Sequence, residues 1–158
     1  MDNLKTIYAR NCTVRRIDGP AAADFLDLHH RMGSASARYR YGLFVLRSTG
    51  AGETVLPAGT LVAVACFSGR RSLPVGDRKV RSYEWVRYAS LSGFRVVGGM
   101  GKMLSAFIGE KDPDDVMSYA EPGSVDCGNV YRTLGFESEG MVSKPGFCCE
   151  KFRLKLGW

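Results

Sequence analysis

The chain contains no apolar run long enough to cross a membrane. Its longest, Leu61 to Phe67, falls far short of the roughly 20 residues a spanning helix needs. Residues 1–10 lack the apolar stretch of a secretory signal, so no export segment is expected there. There is no internal repeat, low-complexity tract or clear linker, which argues against an array or a disordered chain. Histidine is scarce, with 2 residues, and no cysteines follow a CxxC spacing or cluster with histidine. The common zinc modules are thereby excluded, and no metal site is expected. The 5 cysteines, at positions 12, 66, 127, 148 and 149, are an odd number without a paired framework. They fit free thiols in a reducing, intracellular compartment, whether cytoplasm, nucleus or organelle.

What is present is an ordinary globular composition, 45% hydrophobic and 24% charged over 158 residues. That length suits one compact core, so a single domain spanning 1–158 is expected. The net charge of +6 is unevenly placed. Residues 1–102 hold 16 Lys/Arg against 7 Asp/Glu, whereas residues 103–158 hold 6 against 9. A positive first part attracts phosphates, of a nucleotide or of nucleic acid; a solvated, solubilising surface is the other reading. Arg70, Arg71, Arg78, Lys79 and Arg81 are the densest basic stretch and the candidate phosphate contacts for a nucleic acid. Tyr39, Tyr41, Tyr83, Trp85 and Tyr88 lie among the arginines as candidate stacking partners, although strand alternation sends about half of such residues to the core.

Apolar periodicity places strands at Asn11–Ile17, Tyr39–Leu46, Thr60–Phe67, Arg81–Ala89, Asp115–Ala120, Glu137–Val142 and Phe147–Leu156. Thr60–Phe67 is apolar almost throughout and should be covered on both faces. Ser48–Gly59 reads as a turn-rich connector, and Ser68–Lys79 as a long hairpin or functional loop. A helix starts at Asp18-Gly19-Pro20 and ends at His29 and His30, read as caps first and as acid/base candidates second. Gly128–Leu134 reads as a short helix closed by a left-handed Gly135, with Phe136 folding back on Tyr131.

One stretch stands apart. Arg95-Val-Val-Gly-Gly-Met-Gly-Lys102 is a glycine-rich turn that opens a helix. Met100, Met103, Leu104, Phe107 and Ile108 form its buried stripe, and Gly109 is its expected end. The first amides of a helix lack internal partners, and the dipole there favours an anion. A phosphate or pyrophosphate is the natural guest; a turn that needs glycine for sterics alone is the other reading.

This order of elements, with the glycine turn opening the helix after the fourth strand, resembles the GCN5-related N-acetyltransferase (GNAT) superfamily. Arg95-x-x-Gly98-x-Met100 is similar to that family's Arg/Gln-x-x-Gly-x-Gly/Ala loop. Asn129-x-Tyr131-x-x-x-Gly135-Phe136 is similar to its Asn-x-x-Tyr-x-x-x-Gly-Phe helix. A more specific resemblance is to the GNAT-like group of the phage Mom DNA-adenine modification protein. It rests on Arg87-Tyr-Ala89, Arg95-Val-Val-Gly-Gly99, Lys102-Met-Leu104, Ser118-Tyr-Ala-Glu121 and Gly128-Asn-Val-Tyr131, with His30-x-x-Gly33 upstream. Met100 stands where the superfamily keeps a small residue, and Glu121 where the Mom-like pattern has aspartate.

The resemblance implies an α/β (α+β) three-layer fold. Its mixed central sheet would have about seven strands, with helices on both faces and a splayed parallel pair of fourth and fifth strands. It implies an acyl-CoA-dependent N-acyltransferase using acetyl-CoA or another acyl-CoA, with a nucleic-acid base or nucleic-acid-associated amine as the Mom-like acceptor. Amides from Val97 to Lys102, including Gly98, Gly99 and Gly101, would hold the pyrophosphate beside Arg95. The strand at Tyr88 and Ala89 would pair with the pantetheine arm, and Tyr131 would protonate the CoA thiolate. Acceptor deprotonation calls for a nearby carboxylate or histidine, for which Glu84 and then His30 are the candidates. The alternative is a non-catalytic module of the same fold that binds RNA or DNA or serves a larger assembly.

Overall fold

The computed structural model describes residues 5–49, 55–120 and 127–158. Glu121, the rest of the 121–126 segment and part of the expected 48–59 connector lie outside the described residues. The strands are β1 (Lys5–Tyr8), β2 (Cys12–Arg16), β3 (Tyr39–Val45), β4 (Leu61–Phe67), β5 (Arg71–Val75), β6 (Arg78–Ser90), β7 (Phe94–Val97), β8 (Asp115–Ala120), β9 (Glu137–Lys144) and β10 (Phe147–Lys155). The helices are α1 (Gly19–His29), α2 (Gly99–Lys111) and α3 (Cys127–Thr133), with a 3-10 turn at Ala9–Asn11. Together they form a mixed α+β fold with a mixed sheet flanked by helices. Among the described residues no helix is long and apolar enough to cross a membrane.

The chain groups into two compact units, residues 1–68 with 86–111, and residues 69–85 with 112–158. In the first, the strand order is β2-β3-β4-β6, with β2, β3 and β4 antiparallel. The near-continuous apolar run of β4 is covered on both faces, as its composition requires. Val64 and Cys66 pack with Ala22, Phe25 and Leu26 of α1, while Phe67 stacks on Phe107 of α2 at 3.9 Å between ring centroids. Asp18 caps α1 by accepting the Ala21 amide at 2.8 Å. At the other end, the Nδ1 of His29 accepts the Ser92 amide at 3.1 Å.

In the second unit the order is β6-β8-β10-β9, with β5 also on β6. Residues 71–82 form a two-residue hairpin in which Gly76 takes a φ of +59°. Pro74, which cannot donate to a ladder, is tolerated because β5 is an edge strand. β6 and β8 are parallel, as expected for the fourth and fifth strands, in register Ser82↔Asp115, Tyr83↔Val116 and Glu84↔Met117.

Three strands, β1, β5 and β7, are additions to the sequence reading. β1 and β7 pair in parallel, with Tyr8 opposite Val97, and they flank the approach to α2. One boundary is corrected: α2 continues past Gly109 to Lys111. It stops where Asp112 adopts a φ of +46° and Pro113 follows. A single glycine on an exposed helix surface costs about 1 kcal/mol relative to alanine, too little to end a well-packed helix.

Candidate functional site

In the first unit the site begins with β7, whose last residue hands the chain to Gly98. That glycine has a φ of +79°, a left-handed conformation that side chains resist, and it turns the chain into α2. The first helical bond runs from the Lys102 amide to the Gly98 carbonyl at 3.0 Å. The amides of Gly99, Met100 and Gly101 therefore have no carbonyl one turn back, and they form the positive end of the helix. Gly99 is glycine for want of space: a Cβ there would stand 2.4 Å from the Tyr88 hydroxyl and 2.9 Å from Val96 Cγ1. Tyr88 reaches this point from β6, and burial holds its phenol well above the ordinary value, so it stays protonated. Ala89 is buried with α1 and β4. Arg95 and Val97 are exposed on β7.

Lys102 is corrected as a phosphate ligand. Its amide makes the first turn of α2, and its ammonium donates to the carbonyls of Ala9 at 2.9 Å and Cys12 at 2.6 Å. The lysine closes the 3-10 turn that leads from β1 to β2. Met100, the bulky residue of the motif, is half-buried in the first turn and only partly presented to solvent.

His30, also in the first unit, is the C-cap of α1. Its Nδ1 accepts the Met32 amide at 2.9 Å. A neutral imidazole has one lone-pair nitrogen, and here that nitrogen is engaged. These contacts are those of a helix cap, the first of the two roles expected for His30.

In the second unit Tyr131 is buried at 8% exposure in a nest of rings. Its centroid lies 5.3 Å from those of Phe136 and Phe152 and 6.2 Å from that of Trp85. The expected helix end is present: Gly135 has a φ of +97°, and the Phe136 amide donates to the Tyr131 carbonyl at 2.9 Å. The Tyr131 hydroxyl lies 2.8 Å from Ser118 Oγ, a partner that the sequence reading did not single out. Serine is common on strands, and nothing in its spacing links it to a tyrosine 13 residues on. Glu84 meets the guanidinium of Arg71 at 3.1 Å, an ordinary cross-strand ion pair.

The basic hairpin is partly neutralised from within. Arg71 serves Glu84, Arg81 meets Asp114 and Asp112 at 3.4 and 3.6 Å, and Arg78 donates to the Gly157 carbonyl. Arg70 and Lys79 are exposed.

No protein-family model and no curated protein sequence matches the chain. Solved structures do match its fold. The NAA60 protein of Arabidopsis thaliana, in complex with a bisubstrate analogue, superposes with a TM-score of 0.64 at 12% identity, over 92% of this chain and 99% of that one. A GNAT family acetyltransferase from Elizabethkingia anophelis with acetyl-CoA bound gives 0.60 at 13% identity, over 92% and 99%. The ribosomal-protein-S18-alanine N-acetyltransferase of Escherichia coli gives 0.61 at 14% identity, over 93% and 95%. The chain has the fold of the GNAT acetyltransferases.

Proposed function

We propose that the chain is an acyl-CoA-dependent N-acyltransferase. The observation that carries this reading is the left-handed Gly98, which opens α2 and leaves the amides of Gly99, Met100 and Gly101 with no partner in the helix. A diphosphate accepts hydrogen bonds from such amides and gains from the helix dipole. Fold neighbours bound to acetyl-CoA make acyl-CoA the diphosphate of choice. Gly98, with no Cβ, leaves the backbone open to close approach. Arg95, exposed on β7, adds positive charge at the same turn.

The thioester supplies an activated acyl carbon. An amine attacks it, the C–S bond breaks with its electron pair on sulfur, and Tyr131 gives its phenolic proton to the thiolate. The amine proton leaves to water, and the phenolate is reprotonated from water. Glu84, which pairs with Arg71 at 3.1 Å, is the remaining candidate for taking up the amine proton before it reaches water. The acceptor we propose is an amine carried by nucleic acid, in keeping with the Mom-like motifs. The supporting observation is the exposure of Arg10, Arg31, Arg38 and Arg95 in the basic first unit.

The test is the release of free thiol from acetyl-CoA in the presence of amines, including oligonucleotides. Tyr131→Phe keeps the ring and should lower kcat roughly 100-fold, the usual worth of a positioned acid. Oligonucleotide affinity should fall steeply with salt. Salt-dependent binding of oligonucleotides combined with indifference to acetyl-CoA would favour the non-catalytic module instead.

A further inference from the structure

Trp85 and Ser118 stand one step beyond the point where the β6–β8 ladder stops. The register ends at Glu84↔Met117, although β8 continues to Ala120. The Trp85 carbonyl accepts a side chain instead, the Ser118 hydroxyl at 2.9 Å. A serine hydroxyl has one proton, and here it lies on that carbonyl. The 2.8 Å contact between Ser118 Oγ and Tyr131 Oη is therefore donated by the phenol. Ser118 is 2% exposed and Tyr131 8%, so both side chains are held within the packed core. The rings of Trp85, Phe136 and Phe152 fix the phenol in place around this contact.

We propose that Ser118 is a positioning residue for Tyr131. It sets the direction of the phenolic proton at rest, and it turns its own hydrogen bond from the Trp85 carbonyl to the phenolate when that proton leaves. The second half rests on the acyl-transfer reading; the first rests on the hydrogen bonds alone. In the transfer step the Tyr131 O–H bond breaks as S–H forms, and the Ser118 proton stays on serine while its hydrogen bond changes acceptor. A hydrogen bond to a charged oxygen is about twice as strong as one to a neutral one, so the rotation favours the state in which the proton has moved.

Two readouts test this. The first needs no substrate: the 13C resonance of the Tyr131 ring carbon bearing oxygen, assigned by its loss in Tyr131→Phe. It should shift in Ser118→Ala and stay near its original position in Ser118→Thr, which keeps the hydroxyl. The second is kinetic. Ser118→Ala should lower kcat roughly tenfold or more, with KM for acetyl-CoA unchanged, and Ser118→Thr should restore most of the loss. An unmoved resonance in folded Ser118→Ala, or an unchanged kcat, overturns the assignment. If Ser118→Ala does not fold, Ser118→Cys, a weaker donor of similar size, takes its place in both measurements. If the wild-type protein neither binds nor turns over acyl-CoA, the functional reading fails by itself, and the resonance still decides whether Ser118 orients the phenol.

Discussion

Asp115 is wholly buried and ionisable, and its surroundings explain how the fold tolerates it. Its carboxylate accepts from Arg153 at 3.0 Å, from Trp158 Nε1 at 3.0 Å and from the Ser82 hydroxyl. Arg153 also meets Glu139 at 3.0 Å, so one guanidinium serves two carboxylates. Removing that cation leaves a buried charge uncompensated. Arg153→Met should therefore destabilise the protein by about 3–5 kcal/mol, read as a shift in the urea midpoint. Lys102 offers a second test at the same scale. Lys102→Met orphans the carbonyls of Ala9 and Cys12 and should lower stability by about 1–3 kcal/mol, while acyl-CoA binding by the folded variant is retained. The motif around Lys102 was visible in the sequence. Its use was not, because a lysine beside a phosphate turn and a lysine capping carbonyls far away in the chain look alike until the turn at Ala9–Asn11 exists.

At the scale of elements, strong periodicity gave β4, α2, β8 and the Gly135 end of α3 their places. β1 and β7 stayed hidden because each has four residues and is stabilised by a partner distant in sequence, a pairing that local pattern does not encode. β5 was masked by Pro74, which disqualifies a central strand but not an edge one. The Gly76-Asp77 pair was the readable sign of the hairpin. Gly135 joins α3 to β9 with a φ of +97°, and a Cβ there would meet Leu154 Cδ1 at 3.4 Å. Gly135→Ala should cost about 1–2 kcal/mol through the left-handed backbone, measurable in the same urea titration. The tyrosine that this end of α3 carries was legible from its motif. Ser118 was not, since only the end of the β6–β8 ladder brings its hydroxyl to the phenol.

Across the whole chain, the excess of positive charge is compensated at particular carboxylates. Asp114 is lowered below its ordinary value by the Arg81 amide and then by the Arg81 guanidinium. For Glu110 and Glu139 burial acts in the opposite direction. It is outweighed by Tyr41 and Arg16 at Glu110 and by Arg153 and Lys151 at Glu139. Because folding lowers all three, the unfolded chain binds more protons in this window, and stability rises with pH. Their contribution should be complete above the ordinary values of 3.8 and 4.5 and should fade as pH drops through the lowered ones. Urea midpoints at pH 6 and pH 3 should show the loss at pH 3.

The fold and the glycine turn together make acyl-CoA binding the central claim, and calorimetric titration of CoA into the wild-type protein and Gly98→Asn tests it most directly. Asparagine accepts the left-handed backbone of Gly98, so both proteins should melt at similar temperatures. The account predicts one-site binding by the wild type and at least roughly tenfold weaker binding by the variant, whose side chain adds bulk to the turn that would hold the diphosphate. No heat from the wild type at millimolar CoA, or undiminished binding by Gly98→Asn, would contradict it.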